Sequence, residues 1–133
     1  MSVVVPAYNE GPNLRFIYER LRVAFDSLDD YFEVIFVDDG STDNTRPILL
    51  QLHKEDPCVK AIFLSRNFGQ SAALTAGIEA AKGDAVVVMD ADGQDPPEVV
   101  PALIAKWKQG YEVVGGRRTS RRGEPVLKRA LAY

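Results

Sequence analysis

Apolar positions along the chain follow two rhythms in turn, and the alternation predicts strands separated by helices. Residues 2–5 are a short β-branched run closed by Pro6, which reads as a buried strand. Leu14, Ile17, Leu21, Phe25 and Leu28 then recur at three- and four-residue steps, predicting a helix over 12–28 with one apolar face. A second strand is expected at 33–37, and a second helix follows with Asp43 as its N-cap and Ile48, Leu49 and Leu52 inward. Residues 59–64 form the third strand, and 71–82 an alanine-rich helix ended by Gly83 as the C′ residue. The fourth strand, 85–89, is apolar throughout and is expected at the centre of the sheet. A fourth helix over 97–108 turns Val100, Leu103, Ile104 and Trp107 inward, a fifth strand starts at 112–114, and 125–133 has a helical look. The fold class is therefore α/β, with a mostly parallel sheet flanked by helices and right-handed crossovers.

Composition narrows the picture without changing it. At 133 residues, with 46% hydrophobic and 26% charged residues, the chain has the length of one domain and the material for a core. The single cysteine, Cys58, cannot form an internal disulfide, which suits a reducing compartment. The start, MSVVVPAYNE, lacks a basic head and a long apolar run, so no secretory signal is read there. Charge is unevenly placed: the net −3 divides into −8 before Arg117 and +5 from Arg117 onward. Residues 1–116 are thus an acidic body and 117–133 a basic tail. Such a tail suits an anion, whether phosphate, lipid headgroup or nucleic acid, or is simply a solvated terminus.

In a parallel α/β sheet, ligands bind beyond the carboxyl ends of the strands. Three polar segments fall there. Asp90-Ala91-Asp92 puts carboxylates at i and i+2 as the chain leaves a strand, where a turn lets both reach one hard cation such as Mg²⁺ or Mn²⁺; Gln94 offers an amide oxygen two positions on. The plain alternative is a solvated acidic turn. Asp38-Asp39-Gly40-Ser41 offers a carboxylate to a nucleobase N–H, or ordinary turn chemistry. Pro6-Ala7-Tyr8-Asn9-Glu10 offers a ring for stacking and a carboxylate for a ribose, or an ordinary loop. His53 reads as a surface residue, Cys58 as a filler and Trp107 as packing.

Taken together, VVVPAYNE, VIFVDDGSTDNT, LSRNFGQSAALTAGI and VVVMDADGQDPPE resemble the family 2 glycosyltransferases of GT-A fold, over nearly the whole chain. With GGRRTSRRGEPVLKR, the sequence looks most like the branch that loads a sugar onto a polyprenyl phosphate. Gly93 departs from that branch, which usually carries an apolar residue such as leucine. The resemblance implies that Pro6, Tyr8 and Glu10 contact base and ribose, that Val37 lies against the base, that Asp39 hydrogen-bonds it, and that Arg66 and Asp90 also serve the nucleotide. It implies Asp90, Asp92 and Gln94 as metal ligands, and Asp92, Arg117 and Arg129 as the catalytic set, the arginines handling phosphate. Arg118, Arg121, Arg122 and Lys128 are weaker candidates for the same work.

The implied partners are a nucleoside-diphosphate sugar (a UDP-sugar favoured over a GDP-sugar) and a polyprenyl phosphate, with no nucleic acid. The expected place of work is the cytoplasmic face of a membrane, reached through a C-terminal region beyond Tyr133. Without that region the chain is expected to bind nucleotide weakly and turn over poorly, and uncovered apolar surface would promote a homo-oligomer. Two other readings stay open on the residues alone: a family 2 enzyme acting on a glycan hydroxyl, and a receiver-like regulatory module. A receiver would carry its acid pair at the first strand, whereas here the pairs follow strands two and four.

Overall fold

The computed structural model describes residues 1–117 and 129–132, in two compact units divided after Asp95. The first unit alternates β1 (Ser2–Ala7), α1 (Gly11–Asp26), β2 (Glu33–Asp38), α2 (Thr45–Glu55), β3 (Val59–Phe63), α3 (Gln70–Ala80) and β4 (Val86–Val88). Its four strands are all parallel, in the order β3-β2-β1-β4. Every residue of β1 and β2 is buried. Because successive side chains point to opposite faces, burial of the whole strand requires cover on both sides. On one face Val4, Ile35 and Val37 pack with Ala73 of α3. The apolar stripe of α1 that the periodicity predicts (Leu14, Ile17, Leu21, Phe25) is buried, and α1 packs against α2, which lies along β2 and β3.

Several expectations change. β4 stands at the edge of the sheet among the described residues rather than at its centre, with Val86 39% and Val88 46% exposed. An all-apolar run fits a strand buried on both faces, but composition does not specify which neighbours it will have. Gly83 does not end α3 in the expected way: the helix stops at Ala80, and Ala81 is already extended. The Gly83 N–H instead donates to Ser2 Oγ, and a Cβ there would come within 2.5 Å of the Met1 backbone. Small residues let α3 lie close on the sheet: Ala73 and Gly77 are buried, and a Cβ at Gly77 would come within 2.3 Å of the Val4 side chain. Asp43 is not the N-cap residue of α2, a place taken by Asn44, yet its carboxylate still accepts the Thr45 N–H at 2.9 Å.

The second unit begins at Pro96. A 3-10 turn at Pro97–Val99 leads into α4 (Val100–Lys108), with Val100 and Ile104 buried and Leu103 and Trp107 half-buried. α4 contacts both β5 (Val114–Arg117) and β6 (Arg129–Ala132), which pair antiparallel in a sheet of their own. The helical expectation for 125–133 therefore fails at 129–132, where the backbone is extended and bonded to β5. Its residues fit either state, and a strand partner far away in sequence decided the matter. Arg118, Arg121, Arg122 and Lys128 lie outside the described residues. No helix among the described residues is long and apolar enough to cross a membrane.

Candidate functional site

An open cavity of about 380 Å³ lies at the carboxyl ends of the four parallel strands. Each strand end contributes to it. Pro6, Ala7, Tyr8 and Glu10 come from the end of β1 and the turn after it, and Asp39 from just past β2. Asn67 and Gly69 come from the passage between β3 and α3, Gln70 and Ala73 from α3, and Asp90, Ala91 and Asp92 from the turn after β4.

The loops that form this rim are sewn to one another. Asn9, in the left-handed region at φ 52°, donates its N–H to Ser41 Oγ (2.8 Å). Its side-chain oxygen accepts the N–H groups of Thr42 (2.8 Å) and Asp43 (3.3 Å). Glu10 N–H donates to Thr45 Oγ1 at 3.2 Å, and Gly11 N–H to Asp43 Oδ2 at 3.2 Å. The hydroxyl of Thr45, and then its N–H, hold the Asp43 carboxyl below the usual carboxylate range. Gly40, at φ 72°, allows the second loop to press on the third: a Cβ there would sit 2.4 Å from the carbonyl carbon of Arg66. The PAYNE and DGSTDNT strings thus act largely as a stitch between two loops.

Asp39 is buried, and both its oxygens are engaged: Oδ1 accepts the Phe68 N–H (2.8 Å) and Oδ2 the Gly69 N–H (3.0 Å). A carboxylate has about four acceptor sites, so this clamp leaves capacity for a ligand donor. On the opposite wall, Asp90 donates its N–H to Asp95 Oδ2 (3.0 Å), and its Oδ1 accepts the side-chain amide of Gln70 (2.9 Å). Asp92 Oδ1 accepts the Gln94 N–H at 2.9 Å, a tight local turn. Oδ2 of Asp90 and Oδ2 of Asp92 accept no hydrogen bond among the described residues.

The donor set fits a small hard cation of a particular kind. No cluster of three or more His, Cys, Asp or Glu side chains suited to a metal exists among the described residues, which offer the carboxylates of Asp90 and Asp92 on the cavity wall rather than a complete cage. Mg²⁺ and Mn²⁺ sites of this type take one or two carboxylates and fill the rest of the shell with phosphate oxygens and water.

Of the residues expected at the site, Pro6, Tyr8, Glu10, Asp39, Asp90 and Asp92 line one cavity. Tyr8 is 45% exposed, which leaves its ring free to stack. Val37 is fully buried in the core cluster with Val4, Ile35 and Ala73, because its position on β2 turns its side chain toward α3. Arg66 stands off the cavity wall, exposed, with its guanidinium 4.5 Å over the Phe68 ring. Gln94 is exposed and off the wall too. Arg117 and Arg129 belong to the second unit, where they face each other in register across the β5–β6 pair. His53 is exposed, its Nδ1 2.6 Å from the Val59 carbonyl oxygen, in keeping with a surface role. Sequence reasoning overlooked Gln70; the available signal was its place just past a strand end, at the first turn of a helix.

Comparison with known proteins places this geometry. The chain is 48% identical to an uncharacterized glycosyltransferase, YkcC, of Bacillus subtilis (strain 168), a match covering 98% of the chain and 41% of that protein. It is 46% identical to an undecaprenyl-phosphate 4-deoxy-4-formamido-L-arabinose transferase of Proteus mirabilis (strain HI4320), over 98% of the chain and 40% of that protein. Among solved structures, the mannosyltransferase PcManGT from Pyrobaculum calidifontis, in complex with GDP-Man and Mn²⁺, superposes with a TM-score of 0.72 at 28% identity, covering 91% of this chain and 35% of that one. The chain thus spans about two fifths of the length of these curated relatives. The family model for glycosyl transferase family 2 matches residues 2–131, and with a GT-A sheet whose acidic strand ends share one cavity, the chain belongs to that family.

Proposed function

We propose that the protein transfers a hexose, with inversion, from a nucleoside-diphosphate sugar to a polyprenyl phosphate, using a divalent cation held by Asp90 and Asp92. The observation that carries this reading is the convergence of Tyr8, Glu10 and Asp39 with Asp90 and Asp92 around one open cavity. The two groups divide the labour: ring and acceptor groups for base and ribose on one side, paired carboxylates for the metal-bound diphosphate on the other. The first turn of α3 also lines the cavity through Gly69 and Gln70, and a helix N-terminus favours phosphate charge. The name of the Proteus relative carries undecaprenyl phosphate, and the PcManGT complex holds GDP-Man and Mn²⁺. A UDP-sugar is the donor we favour.

In the reaction, an oxygen of the acceptor phosphate attacks the anomeric carbon while the bond from that carbon to the β-phosphate oxygen breaks, and the nucleoside diphosphate departs with the electron pair. Asp90 and Asp92 would hold a divalent cation there, which would supply positive charge to offset that of the leaving diphosphate. A phosphate monoester has its second pKa at about 6, so the acceptor is largely a dianion at neutral pH and needs no strong base. We assign the basic segment 117–133 to acceptor phosphate, with Arg117 and Arg129 at adjacent backbone positions. In this reading residues 1–116 hold the donor, and the work is done at the cytoplasmic face of a membrane.

Titration calorimetry with UDP and GDP, each with and without Mn²⁺, tests the donor site. Binding that Mn²⁺ strengthens, with that gain abolished by Asp92→Ala, is the expected result, and the preferred nucleotide identifies the base. A folded protein that binds neither nucleotide overturns the proposal.

A further inference from the structure

We infer that Gln70 is a positioning residue for the cation site, holding Asp90 so that a single carboxylate oxygen faces the ion. The inference rests on the donor-site reading above and extends it to a residue with no assigned role.

Asp90 leaves the end of β4 at the rim, where an aspartate side chain unaided would sample several rotamers. The side-chain amide of Gln70 donates to Asp90 Oδ1 at 2.9 Å, across twenty residues of sequence. Both residues line the cavity. The backbone N–H of Asp90 is fixed separately by Asp95. With Oδ1 hydrogen-bonded to Gln70, Oδ2 accepts no hydrogen bond among the described residues and is the more open of the two to a ligand. Asp92 is arranged alike, its Oδ1 taken by the Gln94 N–H. One free oxygen from each acid suits a cation that shares its shell with a diphosphate.

Gln70 is itself held from behind. It follows directly on Phe68 and Gly69, whose two N–H groups are clamped by the buried Asp39 carboxylate. A continuous set of contacts therefore runs from the carboxylate on the base side, through the turn at 68–69, to Gln70 and on to Asp90. Outer hydrogen bonds that orient a ligating group commonly alter metal affinity by roughly 10- to 100-fold. Here the contact is a neutral donor on a half-buried carboxylate open to the cavity, which sets the expectation at the low end of that range.

The test measures nucleotide affinity by calorimetry in EDTA and in saturating Mn²⁺, for the unmodified protein, Gln70→Leu and Gln70→Met. Both substitutions keep a long side chain at an exposed helix position and remove the donor. The expected result is unchanged affinity in EDTA, with the Mn²⁺-dependent gain reduced roughly tenfold in both variants. Circular dichroism and urea midpoints matching the unmodified protein separate this from a folding defect. A full Mn²⁺-dependent gain in both variants, alongside its loss in Asp92→Ala, overturns the role of Gln70 and leaves the donor site standing. Equal weakening in EDTA and in Mn²⁺ also overturns it, since that pattern means a general role in the cavity wall. Absence of any Mn²⁺ effect in the unmodified protein defeats the donor-site reading, and this inference with it.

Discussion

Replacing Glu33 by Gln probes the anchor at the end of the sheet away from the cavity. Glu33 opens β2 with its side chain wholly buried, and it ties three segments together. Its Oε1 accepts the Ser2 hydroxyl (2.6 Å) and the Lys82 N–H (2.7 Å), and its Oε2 is paired with the Lys60 ammonium. Burial alone pushes this carboxyl upward, but the bonds from Lys60, Ser2 and Lys82 outweigh it and bring the pKa from 4.5 down to about 2. A depression of roughly 2.5 units corresponds to on the order of 3 kcal/mol. Lys60 is 35% exposed and keeps part of its hydration, which discounts the figure to about 2 kcal/mol.

The sign follows from the direction of the shift. With the folded pKa below the unfolded one, the contribution is fully present above pH 4.5 and drains away as pH falls toward 2. The Gln side chain keeps an acceptor for Ser2 and Lys82 but points its NH₂ at the Lys60 ammonium, donor against donor. Urea unfolding of both proteins at pH 7 and pH 3 is the assay. Glu33→Gln is expected to be about 2 kcal/mol less stable at pH 7, with more than half of that gap gone at pH 3. Nucleotide binding by the folded variant is expected to be unchanged, because the anchor lies at the other end of the strands. A gap below about 0.5 kcal/mol at pH 7, or one that does not narrow on acidification, refutes the reasoning.

Two further substitutions test how the rim is held. Gly40→Ala places a Cβ within 2.4 Å of the Arg66 backbone at a φ of 72°, and is expected to lower stability by at least about 2 kcal/mol and to weaken nucleotide binding, both read from urea midpoints and calorimetry. Asn9→Ala loses the bonds to the Thr42 and Asp43 N–H groups and leaves a Cβ at positive φ, for an expected loss of about 1–2 kcal/mol. Asn9→Gly relieves the backbone but not the bonds, so thermal unfolding of the pair separates the two contributions.

The fold was largely legible from local pattern. The order of the first four strands and four helices, and the buried stripe of α1, follow from apolar spacing within windows of a few turns. Much of the site was legible for a related reason: in a parallel sheet the residues just past the strands must gather, so the PAYNE, DDGS and DADG segments could be placed on one rim before their contacts were known. Gly83 and Asp43 stand out in the sequence by residue type, but their partners, Ser2 for the one and Gly11 with Thr45 for the other, do not. Residue type announces a turn or a cap, but not which distant backbone comes close to it.

What the sequence by itself determined is the α/β class, the family and the acidic rim, because strand and helix periods and short polar motifs are encoded in neighbouring residues. Only the tertiary structure decided that β4 is an edge among the described residues, that 129–132 pairs with β5 as a strand, and that the Val37 side chain lies in the core. It also decided that Asp39 clamps amides 29 and 30 residues further on, and that Gln70 reaches Asp90. These outcomes share one physical reason. Each depends on which elements come to lie side by side, and that is settled by packing and register across the whole sheet rather than by any short stretch of chain.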